Sequence, residues 1–352
     1  MWPPREPTDE QRRALDRLRA ARRPLLVGHE RPDADVLGSQ AALARGLAAL
    51  GARPTVLNPD AAGRAFGWIE PPCGFDFQRG RRLPEHDLVV LLDLCELERT
   101  GSLAELLRAS AAPRVVIDHH RRTPLDVRQN GDAGQGDAAE VHWFHDESAA
   151  ATGVLVARAL VALGIALDAA IAQALLVAIV SDTGSFRYDT TNAEVLALGA
   201  ACVAAGASTE AVQRRLAQDR DPRFPQALGA LLARVRYLDG GRVALVDEPA
   251  TLGLGGIENL SDAVLDVLRS VGPVEVALHL RELADGTCRV SLRAKPPAQV
   301  HALAVRLGGG GHARAAAATL PGPFARALAQ LEKELAPTLA AAPTPRPRST
   351  AR

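Results

Sequence analysis

Apolar and polar positions alternate along this chain in two rhythms. From Thr8 the segment TDEQRRALDRLRAA opens on acidic residues, spaces Leu15 and Leu18 as a helix does, and stops before Pro24 and the apolar run LLVG. The spacing predicts a helix and then a strand. The pattern recurs: GSQAALARGLAALG reads as helix, ARPTVLN as strand, DLVVLLDL as a strand apolar on both faces, SLAELLRAS as helix and RVVIDHH as strand. Short apolar strands alternating with helices predict an α/β fold, a parallel sheet with helices on both faces. A Gly/Asp-rich loop near NGDAGQGD and the stretch VHWFHD lead into three helical segments from about Ala149 to Gly206.

Beyond Gly206 the pattern changes. TEAVQRRLAQDRDPRFPQ has mixed charge and two prolines and reads as a connecting helix with a linker. RVALVD, ENLSDAVLDVLRSV and VEVALHLRELADGTCRVSLRAK predict a strand, a helix and an antiparallel hairpin turning at Asp285 and Gly286. QVHALAVRLGGGGHARAAAA reads as helical, and APTPRPRSTAR, without an apolar period, as a disordered tail. The expected organisation is a first domain over residues 8–206, a connection over 207–227, a smaller α/β domain over 228–336 and a tail over 337–352.

Composition narrows the function. At 352 residues and 47% apolar side chains the chain has material for two cores. Acidic and basic residues balance at 41 each, so no bulk positive charge favours wrapping long nucleic acid, and an anionic substrate must be gripped locally. Cys73, Cys95, Cys202 and Cys288 form no CxxC pair, which argues against a thiolate zinc site or a disulfide framework and for a reducing, cytoplasmic compartment. The N-terminal segment lacks a signal-peptide core, and the longest apolar run, Ala169 to Val180, reads as a buried helix, so no membrane role is expected.

A parallel sheet brings its carboxyl-terminal strand ends to one edge. Four segments rich in carboxylate and imidazole are expected there. They are His29, Asp33 and Asp35 between LLVG and the next helix; Asp93 at the end of LVVLLD; Asp118, His119 and His120 at the end of RVVID; and Asp182 after the apolar helix. Singly, Asp33, Asp35 and Asp182 read equally well as helix or turn caps and Asp93 more readily as a strand-end residue capping the next helix, whereas tandem imidazoles are costly to bury without partners. Four coincidences of one ligand chemistry point to a metal site. Carboxylate plus imidazole without thiolate favours Mn2+ or Mg2+ over structural zinc. The donors suffice for two divalent cations. An Asp shared between them can hold them about 3.5–4 Å apart, the spacing that activates water for in-line displacement at phosphorus.

The series HERPDADVLGS, LLDLCELERTG, VVIDHHRR, SDTGSFRYDTT and GGGGHARAAA resembles the DHH phosphoesterase family with its C-terminal DHHA1 domain, from about Pro24 to Leu335. Within that family it is most similar to small bacterial oligoribonucleases, or nanoRNases, that are also pAp phosphatases. The resemblance implies a parallel-sheet DHH domain, a smaller α/β DHHA1 domain and a catalytic cleft between them. It implies that His29 and Asp33 bind one cation, that Asp35, His119 and Asp182 bind the other, and that Asp93 bridges the two. Asp118 then orients the neighbouring imidazole, and His120 faces the substrate phosphate or protonates the leaving oxygen.

In the glycine run, Gly309, Gly310 and Gly311 allow close backbone approach to a phosphate or base, and amides at a helix start favour an anion. Together with His312 and Arg293 they are the expected nucleotide grip, with Arg314 a weaker candidate. Arg99, six residues after Asp93, is a further phosphate candidate. His142 and His145 read as loop and strand histidines rather than ligands. Many relatives follow the GGGH signature with lysine or asparagine and close with AAG, whereas HARAAAA stands here, which bears on nucleotide preference.

The implied activity is hydrolysis of short RNA to mononucleotides, and of pAp to AMP, with Mn2+ or Mg2+. The implied partners are short oligonucleotides or small nucleotides rather than long duplexes, with a homodimer left open. The alternative is a cyclic-dinucleotide phosphodiesterase acting on c-di-AMP or pApA. A RecJ-like single-strand exonuclease would need further domains and a basic, aromatic-rich groove. A pyrophosphatase would carry a different C-terminal domain, and a non-catalytic nucleotide sensor fits poorly with an intact ligand set.

Overall fold

Thr8 starts the first helix with a reciprocal cap: its side chain accepts from the Gln11 amide, and the Gln11 side chain accepts from the Thr8 amide. The computed structural model describes residues 2, 4–78, 82–122, 139–218, 220–257, 259–311 and 313–340. The chain divides into two compact units, Met1–Asp219 and Arg220–Arg352.

In the first unit α1 (Asp9–Ala20) leads into β1 (Pro24–Val27), α2 (Ala34–Ala49), β2 (Thr55–Asn58), β3 (Asp76–Phe77), β4 (Leu88–Leu92), α3 (Ala104–Arg108), β5 (Arg114–Asp118) and β6 (Val141–His145). The remaining helices are α4 (Thr152–Ala162), α5 (Ala169–Asp182), α6 (Ala193–Ala204) and α7 (Thr209–Gln213). The strands form a parallel sheet in the order β3-β2-β1-β4-β5-β6. Alternate residues of β1, β4 and β5 feed two cores. Leu26, Val90, Val115 and Ile117 join helices α2, α4, α5 and α6 on one face, while Leu25, Val89, Leu91 and Val116 join Leu97, Leu103 and Leu107 on the other. Burial on both faces is why these strands read as unbroken apolar runs. The strand order reverses between β1 and β4, and such a switch point opens a crevice at the carboxyl ends of the strands.

The second unit runs α8 (Phe224–Leu232), β7 (Arg236–Leu238), β8 (Val243–Glu248), α9 (Leu260–Ser270), β9 (Val276–Glu282), β10 (Cys288–Ala294), α10 (His301–Arg306), β11 (Gly310–Gly311), β12 (Ala315–Leu320) and α11 (Phe324–Ala340). Its sheet order is β11-β12-β10-β9-β8-β7, with β8 and β9 parallel and the other neighbours antiparallel. The β9–β10 hairpin turns through Asp285 and Gly286 as its sequence requires, Gly286 having a φ of 81°.

Three expectations need correction. The alanine run after the glycines is not helical: Ala315–Leu320 pairs with Cys288–Arg293 of β10, and that pairing overrides the helix propensity of alanine. The glycine run does not open a helix either. Gly308, with a φ of 78°, follows the end of α10, and a Cβ on Gly309 would lie 2.1 Å from the Ala317 carbonyl oxygen. Gly309 and Gly311 are required by close strand pairing, and Gly308 by its left-handed turn. The expected tail begins too early, since residues 337–340 continue α11; the expected loop near NGDAGQGD and residues 341–352 lie outside the described residues. No single helix among the described residues is long and apolar enough to cross a membrane.

Candidate metal centre

Each of the four segments delivers its side chains to the carboxyl edge of the first sheet. His29 lies just beyond β1, where Glu30 donates its amide to the Arg99 carbonyl and ties the loop to the one after β4. Asp33 is the N-cap of α2: its Oδ1 accepts from the amides of Asp35 and Val36 at 3.0 and 3.1 Å. Capping leaves the second oxygen available, because Asp33 Oδ2 is turned to His29 Nε2 at 3.8 Å. Asp93 follows β4 with a φ of 64°, a left-handed conformation that a short polar side chain tolerates better than most. This turn directs its carboxylate at three imidazoles: Oδ2 lies 3.5 Å from His29 Nε2, and Oδ1 lies 3.4 Å from both His119 Nε2 and His120 Nδ1. Asp182, the last residue of α5, places Oδ2 3.4 Å from His119 Nε2.

The ring tautomers follow from their outer partners. His29 Nδ1 lies 2.8 Å from the Glu30 carbonyl oxygen and His119 Nδ1 lies 3.1 Å from that of Ala149. A carbonyl only accepts, so Nδ1 carries a proton in both rings, and Nε2 is the nitrogen that faces the carboxylates and is left to ligate a cation. This is the usual posture of imidazole ligands with a hydrogen-bonded outer nitrogen. Two groups of three donors result, His29 with Asp33 and Asp93, and Asp35 with His119 and Asp182; in each, the donor atoms lie within 4.8 Å of one another. A third such group, Asp93 with His119 and His120, overlaps them. Separations of 3.4–3.8 Å exceed an ordinary hydrogen bond and suit neighbouring donors around one cation. The residues present therefore fit divalent cations.

Charge crowding tells the same story. Burial, followed by the adjacent charge of Asp93, pushes the Asp35 carboxyl up to about 8. Burial and the charge of Asp35 likewise raise Asp182 well above the carboxylate range. Burial works against charge at Asp93 too, but His120, His119 and His29 outweigh it and hold Asp93 well below that range. His119 is disfavoured as a cation by burial, yet the carboxylates of Asp93, Asp182 and Asp35 raise its pKa well above the ordinary histidine value. Without another cation, protons neutralise this cluster; a bound metal would displace them.

Three supports were not legible in the motifs. The first turn of α4 holds two of the candidate ligands: the Thr152 and Gly153 amides donate to the oxygens of Asp35 at 2.7 and 2.9 Å, and the Thr152 hydroxyl donates to Asp93 Oδ1 at 2.8 Å. The positive end of a helix thus faces buried carboxylates. Gly153 is required there, since a Cβ would sit 2.5 Å from that of Ala178 on α5. The second support is His145 on β6, whose Nε2 donates to the His120 carbonyl at 2.6 Å. The third is the thiol of Cys95, beside Asp118. His142, also on β6, bonds Arg17 and stands next to Glu140, away from the donor groups.

Asp118, fully buried at the end of β5, accepts from the His120 amide at 3.1 Å and from His120 Nδ1 at 2.7 Å through Oδ1. Arg99 donates to the Asp93 carbonyl at 3.2 Å, which places its guanidinium beside the cluster. The remaining candidates belong to the second unit. Arg293 on β10 is paired with Asp262 at 2.9 Å, Gly309, Gly310 and Gly311 lie between α10 and β12, and Arg314 immediately precedes β12. His312 lies outside the described residues.

Residues 24–179 match the model of the DHH family, N-terminal domain, and residues 251–339 match that of the DHHA1 domain. The bifunctional oligoribonuclease and PAP phosphatase NrnA of Thermus thermophilus is 30% identical over 325 residues, covering 89% of either chain. A crystal structure of an exopolyphosphatase-related protein from Bacteroides fragilis superposes with a TM-score of 0.80 at 20% identity, over 94% of this chain and 97% of the other. RecJ from Thermus thermophilus, crystallised with Mn2+, gives a TM-score of 0.53 at 16% identity over 97% of this chain and 56% of RecJ. With the aspartates and histidines of its motifs gathered at one sheet edge, and with this likeness along nearly its whole length, the chain belongs to the DHH family of phosphoesterases and is a hydrolase of phosphoester bonds.

Proposed function

We propose that the cluster holds two divalent cations, Mn2+ in preference to Mg2+, and that the chain hydrolyses short RNA oligonucleotides to mononucleotides and pAp to AMP. The observation that carries this reading is the position of Asp93, whose two oxygens face different imidazoles, His29 on one side and His119 on the other. In this reading His29 and Asp33 hold one cation, Asp35, His119 and Asp182 hold the other, and Asp93 serves both. When bound, the cations supply Lewis acidity: they make a water acidic enough to attack phosphorus and offset charge on the phosphoryl oxygens.

The side chains do the rest. Asp118 keeps Nδ1 of His120 engaged, so the imidazole exchanges its proton with the leaving oxygen through Nε2. Arg99 offers its guanidinium to a phosphate next to Asp93. Arg293, Gly309, Gly310, Gly311 and His312 are assigned to holding the nucleotide, and Arg293 must exchange Asp262 for a phosphate to do so. The choice of short RNA and pAp rests on the likeness to NrnA and on a chain with equal acidic and basic content, 41 residues of each.

The test is turnover with Mn2+ of labelled RNAs of two, five and about twenty-five nucleotides, with pAp and c-di-AMP alongside and His119→Ala as control. Release of mononucleotides from the short RNAs, lost in the control, is the expected result. Preference for c-di-AMP would replace this substrate assignment, and turnover of none of them would remove it.

A further inference from the structure

We propose that Cys95 is a positioning residue for His120, acting through Asp118. This rests on the proton-exchange role given to His120 above. Cys95 lies two residues beyond Asp93 on the turn after β4, and it is only 3% exposed. Its thiol donates to Asp118 Oδ2, while Asp118 Oδ1 takes both the amide and Nδ1 of His120. The two oxygens of this buried carboxylate are thus divided between two partners, the thiol on one side and His120 on the other.

That division matters because the terminal torsion of an aspartate is soft. A carboxylate held at one oxygen pivots about that contact, and an imidazole hung on it follows. The thiol is a weak donor in general, but a donor to a buried, ionised carboxylate is strengthened by the charge it meets. The backbone of His120 is anchored apart from Asp118 by His145, whose Nε2 donates to its carbonyl. What remains adjustable is the ring, and the Asp118 plane sets it. Cys95 also borders Leu94, Leu97 and Leu103 in the core, so a purely space-filling role is the competing account.

Cys95→Ser and Cys95→Ala separate the two accounts. A hydroxyl on the same Cβ stays within reach of Asp118, whereas a methyl removes the donor. Cleavage of a dinucleotide RNA and of bis(p-nitrophenyl) phosphate are compared in the full chain, because nitrophenolate departs without a proton and an RNA hydroxyl does not. The alanine variant is expected to lose about tenfold in kcat on the RNA with KM within about twofold, and to change little on the nitrophenyl ester. The serine variant recovers the RNA rate. Affinity for Mn2+ stays near wild type in both, and rates are compared at a temperature where each variant is fully folded.

A second readout does not depend on the substrate. The His120 Nδ1 proton, identified by its loss in His120→Gln, is observed by NMR of histidine-labelled protein with Mg2+. It is expected to be sharp and downfield in wild type and Cys95→Ser, and broadened in Cys95→Ala. Equal losses on both substrates, no rescue by serine, or an unchanged proton signal in the alanine variant would each overturn the proposal. If wild type cleaves the nitrophenyl ester but no RNA, the substrate assignment fails, and the proton signal alone decides the role of Cys95.

Discussion

Thr152→Val isolates a single hydrogen bond at the centre. Valine matches the shape of threonine, keeps the fully buried start of α4 filled, and leaves the amide that donates to Asp35 in place. Only the hydroxyl that donates to Asp93 Oδ1 at 2.8 Å is lost. A hydrogen bond to a charged group is worth about 1.5–3 kcal/mol, and Asp93 is only 3% exposed. If that energy is spent on holding Asp93 in its ligating posture, affinity for Mn2+ falls about 10–100-fold, the range for losing a partner that orients a ligand. The assay is calorimetric titration of the metal-depleted protein with Mn2+, beside kcat at saturating metal. Thr152→Ser, which retains the hydroxyl, is expected within about threefold of wild type, well inside the tenfold span of about 1.4 kcal/mol. Wild-type affinity in the valine variant, or an equal loss in the serine variant, would refute the reasoning.

Other predictions follow from packing and charge. Gly153→Ala drives a Cβ to 2.5 Å from that of Ala178, and overpacking is expected to cost about 1–3 kcal/mol in urea denaturation; unchanged stability would mean that α4 and α5 separate freely. Arg158 is buried and bonds Glu194 twice and Asp146 once, so Arg158→Met should destabilise the first unit by about 3–5 kcal/mol, with partial recovery when Glu194→Gln is added. For the metal-depleted chain, Asp35 titrates near 8 when folded and near 3.9 when unfolded, so the folded state holds the proton more tightly. Its contribution is fully present below pH about 4 and is lost as pH rises to about 8, and the raised pKa values of His29 and His119 act in the same direction above about 6.5. Asp93 and Asp118, held low, add nothing to the slope in that window. The melting temperature in EDTA should therefore fall from pH 5 to 8, with Mn2+ flattening the curve; a rise without metal would contradict the proton-filled cluster.

The first sheet was legible because β1, β4 and β5, buried on both faces, are short unbroken apolar runs that contrast with the 3.6-residue period of the helices between them. The donor segments were legible because ligands at strand ends lie at fixed places relative to apolar runs. What was hidden depends on contacts between distant segments. Nothing local in ESAAATGV marks Thr152 and Gly153 as the helix start that holds Asp35, since their partner is more than a hundred residues earlier. Cys95 is an ordinary apolar position until β5 brings Asp118 beside it. The alanines of β12 carry a helical preference that yields only to pairing with β10, and the glycines before them read as an anion loop when their space is limited by the strand that follows. The two-residue strand β3 has too few side chains to show a period.

The most direct test of the central claim is metal stoichiometry measured with activity: metal-depleted protein is titrated with Mn2+, and bound metal is counted while dinucleotide cleavage is followed in the same samples. The account predicts two cations per chain, cleavage that rises with the second, and loss of both the paired binding and the activity in Asp93→Asn. A single cation at full activity, or undiminished cleavage by Asp93→Asn, would contradict it.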